Sequence, residues 1–190
     1  MTQITPLRFA LVAAVAIVAE LPQTIAAQTR AASPRPGSFT VVEASIEDMR
    51  KALEQKRTTS HEIVQQYLTR IATYEHQLNA AITINPRALA IADSMDRERA
   101  AGRIHGPLHG IPVALKDNIH TTTMRTTGGA LAFADLVPPY EATLAKNLED
   151  AGAIILAKTQ LTELANWVAS GMPGNYNGLN GYGMNPWDPR

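Results

Sequence analysis

The chain has 190 residues, and its 17 basic and 17 acidic side chains give a formal net charge of zero. A neutral chain has no electrostatic reason to bind nucleic acid or an anionic membrane surface. It contains no cysteine, which excludes disulfides, thiolate nucleophiles and cysteine-ligated metals. Hydrophobic residues make up 45% of the sequence. That share is ordinary for a globular domain, and the length suits one domain or most of one.

The N-terminal segment is typical of an export signal. A basic residue precedes an uninterrupted apolar run from Phe9 to Ala19, which is shorter than the ~20 residues that cross a bilayer. Ala26–Ala27 offers small residues for cleavage. We therefore predict a signal peptide over residues 1–27 and export to a secreted or periplasmic location. The alternative is a short lipid anchor or a disordered leader. Residues 28–42, which contain prolines and a glycine, are predicted to be a linker.

Helix-start signals follow in residues 43–190, which we predict to be the globular part. Two capping boxes, with a hydroxyl residue three positions before a carboxylate, predict helix starts at Ser45 with Asp48 and at Thr59 with Glu62. Ala81–Ile84 fits a short strand. Asn85–Pro86 predicts a third helix, which Gly102 ends.

Two apolar runs that each end in a lysine predict neighbouring strands. Ile111–Leu115 leads into Lys116, and Ala153–Ala157 leads into Lys158. Turn residues ahead of the first run favour a buried strand over a helix. Ala142–Ala151 between them is predicted to be helical, with Leu144 and Leu148 inward. Strand, helix and strand in this order predict a parallel crossover, so both lysines are expected at the same edge of one sheet.

The C-terminal part of the chain is predicted to be helix and then loop. Thr159–Trp167 fits a helix, and the glycine- and asparagine-rich stretch from Ser170 onward fits a loop. That stretch contains no nucleotide-binding glycine motif. Its Tyr176 and Tyr182 either line a pocket wall or belong to a mobile surface loop.

Lys116 is the leading candidate for chemistry. A lysine at a strand end is either a solvated terminus or, if it is buried and neutral, a base. Lowering an ordinary lysine pKa of ~10.4 to ~7.5 requires about 4 kcal/mol, which only a covered site supplies. Lys158 is expected to be structural or solvated. His105 and His109 are four apart, but glycine and proline between them make a helix improbable, so no metal site is predicted.

Several segments together resemble the N-terminal part of the amidase signature family, peptide-amidase-like members included. The matching segments are Gly106–Asn118, Thr143–Leu148, Ala151–Thr159, Thr162–Trp167 and Asn185–Pro189. The upstream stretches Tyr67–Ile71 and Asn79–Ile82 also fit the opening helix and strand of that family. The resemblance covers roughly residues 43–190.

This resemblance implies an α/β fold with a mixed sheet flanked by helices, and a Ser–cis-Ser–Lys triad that hydrolyses amides. Lys116 would be the general base, acting through a bridging serine on a nucleophilic serine. Ser170 and Gly171 would contact the substrate. The implied substrate is a small-molecule or peptide amide, with no cofactor and no metal.

One element of the family pattern is missing from the chain. No Gly-Ser-Ser motif, which would carry both serines, occurs in the sequence. We therefore expect the N-terminal portion of an amidase that is inactive alone. The alternatives are a non-catalytic binding module with an enzyme-like half-fold and a lysine Schiff-base enzyme. The sequence carries no signal for the oligomeric state.

Overall fold

The structure is a computed structural model that describes residues 39–189. The predicted signal peptide and most of the predicted linker therefore lie outside the described residues. The elements in chain order are α1 (Ile46–Glu54), α2 (Ser60–Leu78), β1 (Ala81–Ile84), α3 (Ala88–Ala100), β2 (Pro112–Lys116), α4 (Thr143–Asp150), β3 (Ile154–Thr159), β4 (Tyr176–Asn177) and β5 (Gly181–Tyr182). Two 3₁₀ turns, Leu131–Phe133 and Glu163–Asn166, lie between them. None of the helices in residues 39–189 is long and apolar enough to cross a membrane.

Both predicted capping boxes form. The hydroxyls of Ser45 and Thr59 accept the N–H groups three residues ahead, and the carboxylates of Asp48 and Glu62 accept the N–H groups of the cap residues in return. Each box satisfies two backbone donors that a helix start would otherwise leave unpaired. The starts of α1 and α2 are therefore set by local sequence, as predicted.

The predicted start of the third helix, with Asn85 as the cap, is wrong by two residues. Helix α3 begins at Ala88, with Arg87 at the cap and no side-chain cap bond. The Asn85 side chain instead accepts the Arg87 N–H at 2.9 Å and donates to the Ile155 carbonyl at 2.6 Å. Asn85 is therefore used to tie the turn before α3 to the central strand.

The main sheet is mixed, with the order β1-β3-β2. Strand β3 pairs antiparallel with β1 and parallel with β2, which confirms the predicted parallel arrangement of the two lysine-ended strands. Strand β3 is buried along Ile154–Lys158 because it has a neighbour on each side. Strand β2 lies at the edge, and its Ala114 and Lys116 are exposed, so it is only partly the buried strand that was predicted.

Two apolar clusters cover the two faces of β3. Ile154 and Leu156 pack with Val64 of α2 and Ala92 of α3. On the opposite face Ile155 packs with Leu115 of β2, Met124 and Ala145 of α4. A third cluster, under α1, joins Val41, Met49, Leu53, Ile63 and Ile111, with Phe39 against it. The sheet is thus flanked by helices, as expected for the predicted fold class.

Helix α4 is slightly shorter than predicted, and only one of its two predicted inward residues lies inward. It spans Thr143–Asp150, with Ala145 buried. Leu148 packs against the cluster on β3, as predicted, whereas Leu144 is 53% exposed. The helix ends in a Schellman motif, because the N–H of Gly152 bonds to the Glu149 carbonyl and that of Ala153 bonds to the Leu148 carbonyl.

The prediction of a helix over Thr159–Trp167 is wrong. Thr159 completes β3, and only the short 3₁₀ turn Glu163–Asn166 follows. The stretch after Ser170 is mostly loop, but it contains the small antiparallel hairpin β4–β5.

Candidate active site

Lys116 is the last residue of β2 and stands at the carboxyl end of two parallel strands. Its register partner is Thr159, the last residue of β3. The Lys116 side chain is exposed, and no hydrogen bond or ion pair holds its ammonium within residues 39–189. Leu115 and Asp117 on either side of it are buried. Because side chains alternate along a strand, Lys116 points to the face opposite to Leu115 and Asp117.

A register shift in the sheet sets the position of Lys158. Pro112 and Val113 pair with Ile154 and Ile155, but Ala114 pairs with Ala157, so Leu156 is an extra residue in β3. In an unbroken register Lys158 would lie opposite Lys116. The shift places it opposite Leu115 instead, on the other face of the sheet. Such bulges re-aim side chains next to functional sites.

Lys158 and Asp117 form a fully buried ion pair. Lys158 Nζ lies 3.2 Å from Asp117 Oδ1, and both side chains are 0% exposed. Asp117 Oδ1 accepts no hydrogen bond of ordinary geometry, so its charge is compensated by the lysine ammonium. Lys158 Nζ also donates to Thr126 Oγ1 at 2.6 Å. A buried charge needs such a partner, since its removal from water is costly.

The electrostatic surroundings of Lys158 act in opposite directions. Burial lowers its pKa below the ordinary lysine value of 10.5, and the Asp117 carboxylate, with a smaller contribution from Glu141, partly offsets that effect. Burial favours the neutral amine of Lys158 and the Asp117 carboxylate favours its charged form, so the charge of Lys158 depends on Asp117.

Asp117 also organises a tight turn beside the sheet. Its Oδ2 accepts the N–H and the hydroxyl of Thr127, and its carbonyl accepts the Gly128 N–H at 3.0 Å. Gly128 and Gly129 have φ angles of 61° and 74°, which glycine adopts without a steric penalty. The Gly129 carbonyl in turn accepts the Leu179 N–H from the hairpin.

The β4–β5 hairpin is anchored by buried amide side chains rather than being a free loop. Asn177 is 0% exposed and donates to Gln160 Oε1 and to the Leu161 carbonyl, each at 2.9 Å. Gln160 directly follows the register partner of Lys116 and donates to the Gly181 carbonyl. The hairpin therefore lies at the same sheet edge as Lys116. Its Tyr176 and Tyr182 form a tilted ring pair with centroids 4.7 Å apart.

The short turn Glu163–Asn166 lies in the same region and is left-handed over its last three residues. Leu164, Ala165 and Asn166 have φ angles of 46°, 54° and 68°, and the Trp167 side chain after them is 89% exposed. Consecutive non-glycine residues in this conformation cost about 1–2 kcal/mol each. Such strain clusters at binding and catalytic sites. This turn is absent from the sequence prediction, since no glycine marks it.

The remaining predicted residues make no hydrogen bond or ion pair with Lys116 in the part of the chain that the structure describes. Ser170 and Gly171 occupy an exposed turn, and no hydrogen bond or ion pair links them to Lys116 in the described residues. His105 and His109 stack on each other with ring centroids 5.4 Å apart. No cluster of three or more potential metal ligands occurs in residues 39–189.

The buried pair is the feature that sequence reasoning missed. The sequence predicts no specific role for Asp117, and it predicts Lys158 to be structural or solvated. A second lysine at the same sheet edge was the signal available. The extra residue Leu156, which brings Lys158 to Asp117, has no signature in the sequence.

Comparison with known proteins is consistent with this arrangement. The described residues form an α/β protein with a mixed sheet, flanking helices and a lysine at the carboxyl edge of its parallel strands. The family model described as Amidase matches residues 62–190. The chain therefore belongs to the amidase family, and the resemblance inferred from its motifs is confirmed.

Individual relatives agree with that assignment. The chain is 40% identical over 145 residues to a glutamyl-tRNA(Gln) amidotransferase polypeptide of Thermosynechococcus vestitus, covering 76% of this chain and 29% of the relative. It is 39% identical over 153 residues to a probable amidase of Arabidopsis thaliana, covering 79% and 30%. The peptide amidase structure from Stenotrophomonas maltophilia superposes with a TM-score of 0.74 at 39% identity, covering 76% of this chain and 30% of that chain.

The chain thus spans under a third of the length of these relatives. The mixed α/β fold of the described residues corresponds to the amidase signature fold, as predicted, and this partial coverage fits an N-terminal portion.

Proposed function

We propose that the protein to which this chain belongs hydrolyses a carboxamide to an acid and ammonia or an amine, with Lys116 as the general base. The observation that carries the proposal is the placement of Lys116 at the carboxyl edge of the parallel strands, exposed and without a counterion in the described residues. In open α/β sheets, ligands bind outside this edge. Family membership supports amide hydrolysis as the reaction class.

The proposed chemistry is a Ser–cis-Ser–Lys variant of triad catalysis. A neutral Lys116 amine takes a proton from a bridging serine, which takes one from the serine that attacks the amide carbonyl. Lys116 returns its proton through the bridging serine to the leaving nitrogen, so ammonia or an amine departs and the acyl group stays on the attacking serine. Water then cleaves this acyl-enzyme and releases the acid. A lysine amine stays neutral only when it is shielded from water, so other parts of the fold must cover Lys116 in the active state.

We further propose that the 190 residues alone are inactive. They contain no Gly-Ser-Ser motif, so neither the nucleophile nor its adjacent oxyanion donors are among them. Oxyanion stabilisation is usually the largest catalytic contribution. Purified 190-residue chain is expected to release no ammonia above background from any amide, and lysine-dependent turnover would contradict this.

A small-molecule or peptide amide is the proposed substrate class. The likeness to a peptide amidase favours a peptide amide within that class. The zero net charge argues against a nucleic acid partner. Ser170 and Gly171, exposed next to the left-handed turn, remain proposed substrate contacts.

The test uses the complete gene product and measures ammonia release from propionamide, benzamide and a C-terminally amidated dipeptide. Lys116→Met is expected to lower kcat by at least about a thousandfold, as loss of a triad member does. Lys146→Met removes an exposed surface lysine and is the matched control. A wild-type protein that cleaves none of the three amides but binds them would favour the non-catalytic module. Reduction by borohydride that traps a carbonyl compound on Lys116 would favour the Schiff-base alternative.

Export is a separate proposal that rests on residues 1–27. Fusion of residues 1–38 to a periplasmic reporter enzyme is expected to direct the reporter out of the cytoplasm and to be followed by cleavage near Ala27. A fusion that stays cytoplasmic would contradict export.

A further inference from the structure

We propose that the buried Asp117–Lys158 pair positions Lys116 by holding in place the turn that follows β2. The proposal rests on the proposed function, in which Lys116 is the general base. Neither member of the pair is a catalytic residue, because both are buried on the sheet face that Lys116 does not occupy.

The first support is the way in which the backbone after Lys116 is fixed. The Asp117 N–H donates to the Thr159 carbonyl at 3.1 Å, and the Asp117 carbonyl accepts the Gly128 N–H. The Asp117 side chain adds two bonds from Thr127. Since the Lys116 side chain has no polar partner in the described residues, these bonds to the next residue fix the direction in which its Cα–Cβ bond leaves the strand.

A second connection runs from Lys158 to the carbonyl of Lys116. Lys158 Nζ donates to Thr126 Oγ1 at 2.6 Å, and that hydroxyl donates to the Ile119 carbonyl at 3.4 Å. The Ile119 N–H in turn donates to the Lys116 carbonyl at 3.0 Å. Thr126 is 4% exposed, so water does not compete for this connection. Lys158 thus holds in place the turn that directly follows Lys116.

The pair also keeps the Asp117 carboxylate from serving as the counterion of Lys116. The extra residue Leu156 places Lys158 on the face of Asp117, so the carboxylate has its own cation there. Lys116 is left without a carboxylate partner in the described residues. An amine held by a carboxylate would be stabilised in its charged form and unable to accept a proton.

The test measures kcat and KM for the complete protein on the C-terminally amidated dipeptide. Thr126→Val removes the hydroxyl between Lys158 and Ile119 but keeps the ion pair and the side-chain shape. It is expected to lower kcat between about five- and a hundredfold with KM within about threefold, the signature of a misplaced base in a site that still binds. Thr126→Ser retains a hydroxyl and is expected to restore kcat to within about twofold.

The double variant Asp117→Asn/Lys158→Met removes both buried charges, and Lys146→Met/Asp150→Asn removes an exposed pair of the same type. The buried double variant is expected to keep the kcat defect although no unpaired charge remains, and the exposed one to match wild type. The single buried variants are not needed, because each leaves one charge unpaired and risks misfolding.

Three results would overturn the proposal: wild-type kcat in Thr126→Val, a kcat loss that serine does not rescue, or wild-type kcat in the buried double variant. The first two would leave the pair a purely structural element. Full activity of Lys116→Met in the same assay would instead refute the proposed function, so the two failures are distinguishable.

Discussion

Lys158 Nζ lies 3.2 Å from Asp117 Oδ1 in the protein interior. Lys158 does not lie opposite Lys116, although both lysines stand near the ends of neighbouring parallel strands. One extra residue in β3 produces this arrangement. The exposed lysine and the buried lysine therefore lie in different environments at one sheet edge. Four features of the surrounding structure lead to separate predictions.

The buried imidazole of His109 predicts a loss of stability in acid. His109 is 2% exposed, accepts the His105 N–H at Nδ1 and lies 2.9 Å from the Met95 carbonyl through Nε2, so its neutral form carries the proton on Nε2. Burial lowers its pKa below 6.5, Arg99 and His105 act in the same direction, and the Met95 carbonyl and Glu98 offset part of this effect. Between the lowered value and 6.5 the unfolded chain binds more protons than the folded one.

The His109 contribution is therefore fully present above pH 6.5 and is lost as the pH falls through 6.5 towards the lowered pKa. His109→Gln is expected to reduce the difference in Tm between pH 7.5 and pH 5.5. His76→Gln, at an exposed histidine, is the control and is expected to leave the difference unchanged. An identical difference in wild type and His109→Gln would refute the assignment.

Replacing the glycine that ends α4 is expected to lower the stability of the protein strongly. Gly152 has a φ of 89°, and a Cβ there would lie 2.6 Å from the backbone Cα of His109. Gly102 ends α3 in the same Schellman motif with a φ of 75°, but open space surrounds it. Gly102→Ala is expected to cost about 1 kcal/mol from backbone strain alone. Gly152→Ala adds a backbone clash and is expected to cost about 2–4 kcal/mol.

Urea unfolding of the two glycine variants measures this difference. Equal destabilisation by both substitutions would show that the close approach between α4 and the segment before β2 does not exist.

The amide of Asn177 is expected to hold the hairpin in place. It makes two donated bonds and accepts the Asn180 N–H at 2.8 Å. Asn177→Ala leaves buried partners unsatisfied and is expected to cost about 2–3 kcal/mol. Asn147→Ala, on the exposed side of α4, is expected to change stability by less than about 0.5 kcal/mol. Hydrogen exchange of the Leu179 and Gly181 amides provides the local measurement, and unchanged protection in Asn177→Ala would contradict the anchoring role.

A substitution to glycine in the left-handed turn is expected to stabilise the protein. Ala165 has φ 54° and ψ 33°, where an L-residue is strained. Ala165→Gly is expected to stabilise the protein by up to about 1 kcal/mol, since strain relief exceeds the entropy cost. Ala134, at φ −52° and ψ −33°, is right-handed, and Ala134→Gly is expected to destabilise by about 0.5–1 kcal/mol. Thermal unfolding compares them, and destabilisation by both substitutions would place Ala165 outside the left-handed region.

Local chemistry made much of the fold predictable. The capping boxes at Ser45 and Thr59 and the apolar run before Lys116 act over a few residues, so their elements formed where expected. The helix predicted over Thr159–Trp167 does not form, because Thr159 completes β3 and the chain then turns left-handed at Leu164 and Ala165. Leu144 is exposed because the face of α4 that packs against β3 carries Ala145 and Leu148.

The sequence by itself determined the family, the mixed α/β class and a lysine at the end of a strand, because motif spacing and apolar runs are properties of neighbouring residues. Only the tertiary structure decided which lysine is buried. That outcome depends on a register shift between strands that are distant in sequence, and one extra residue in a strand with a period of two moves a side chain to the opposite face.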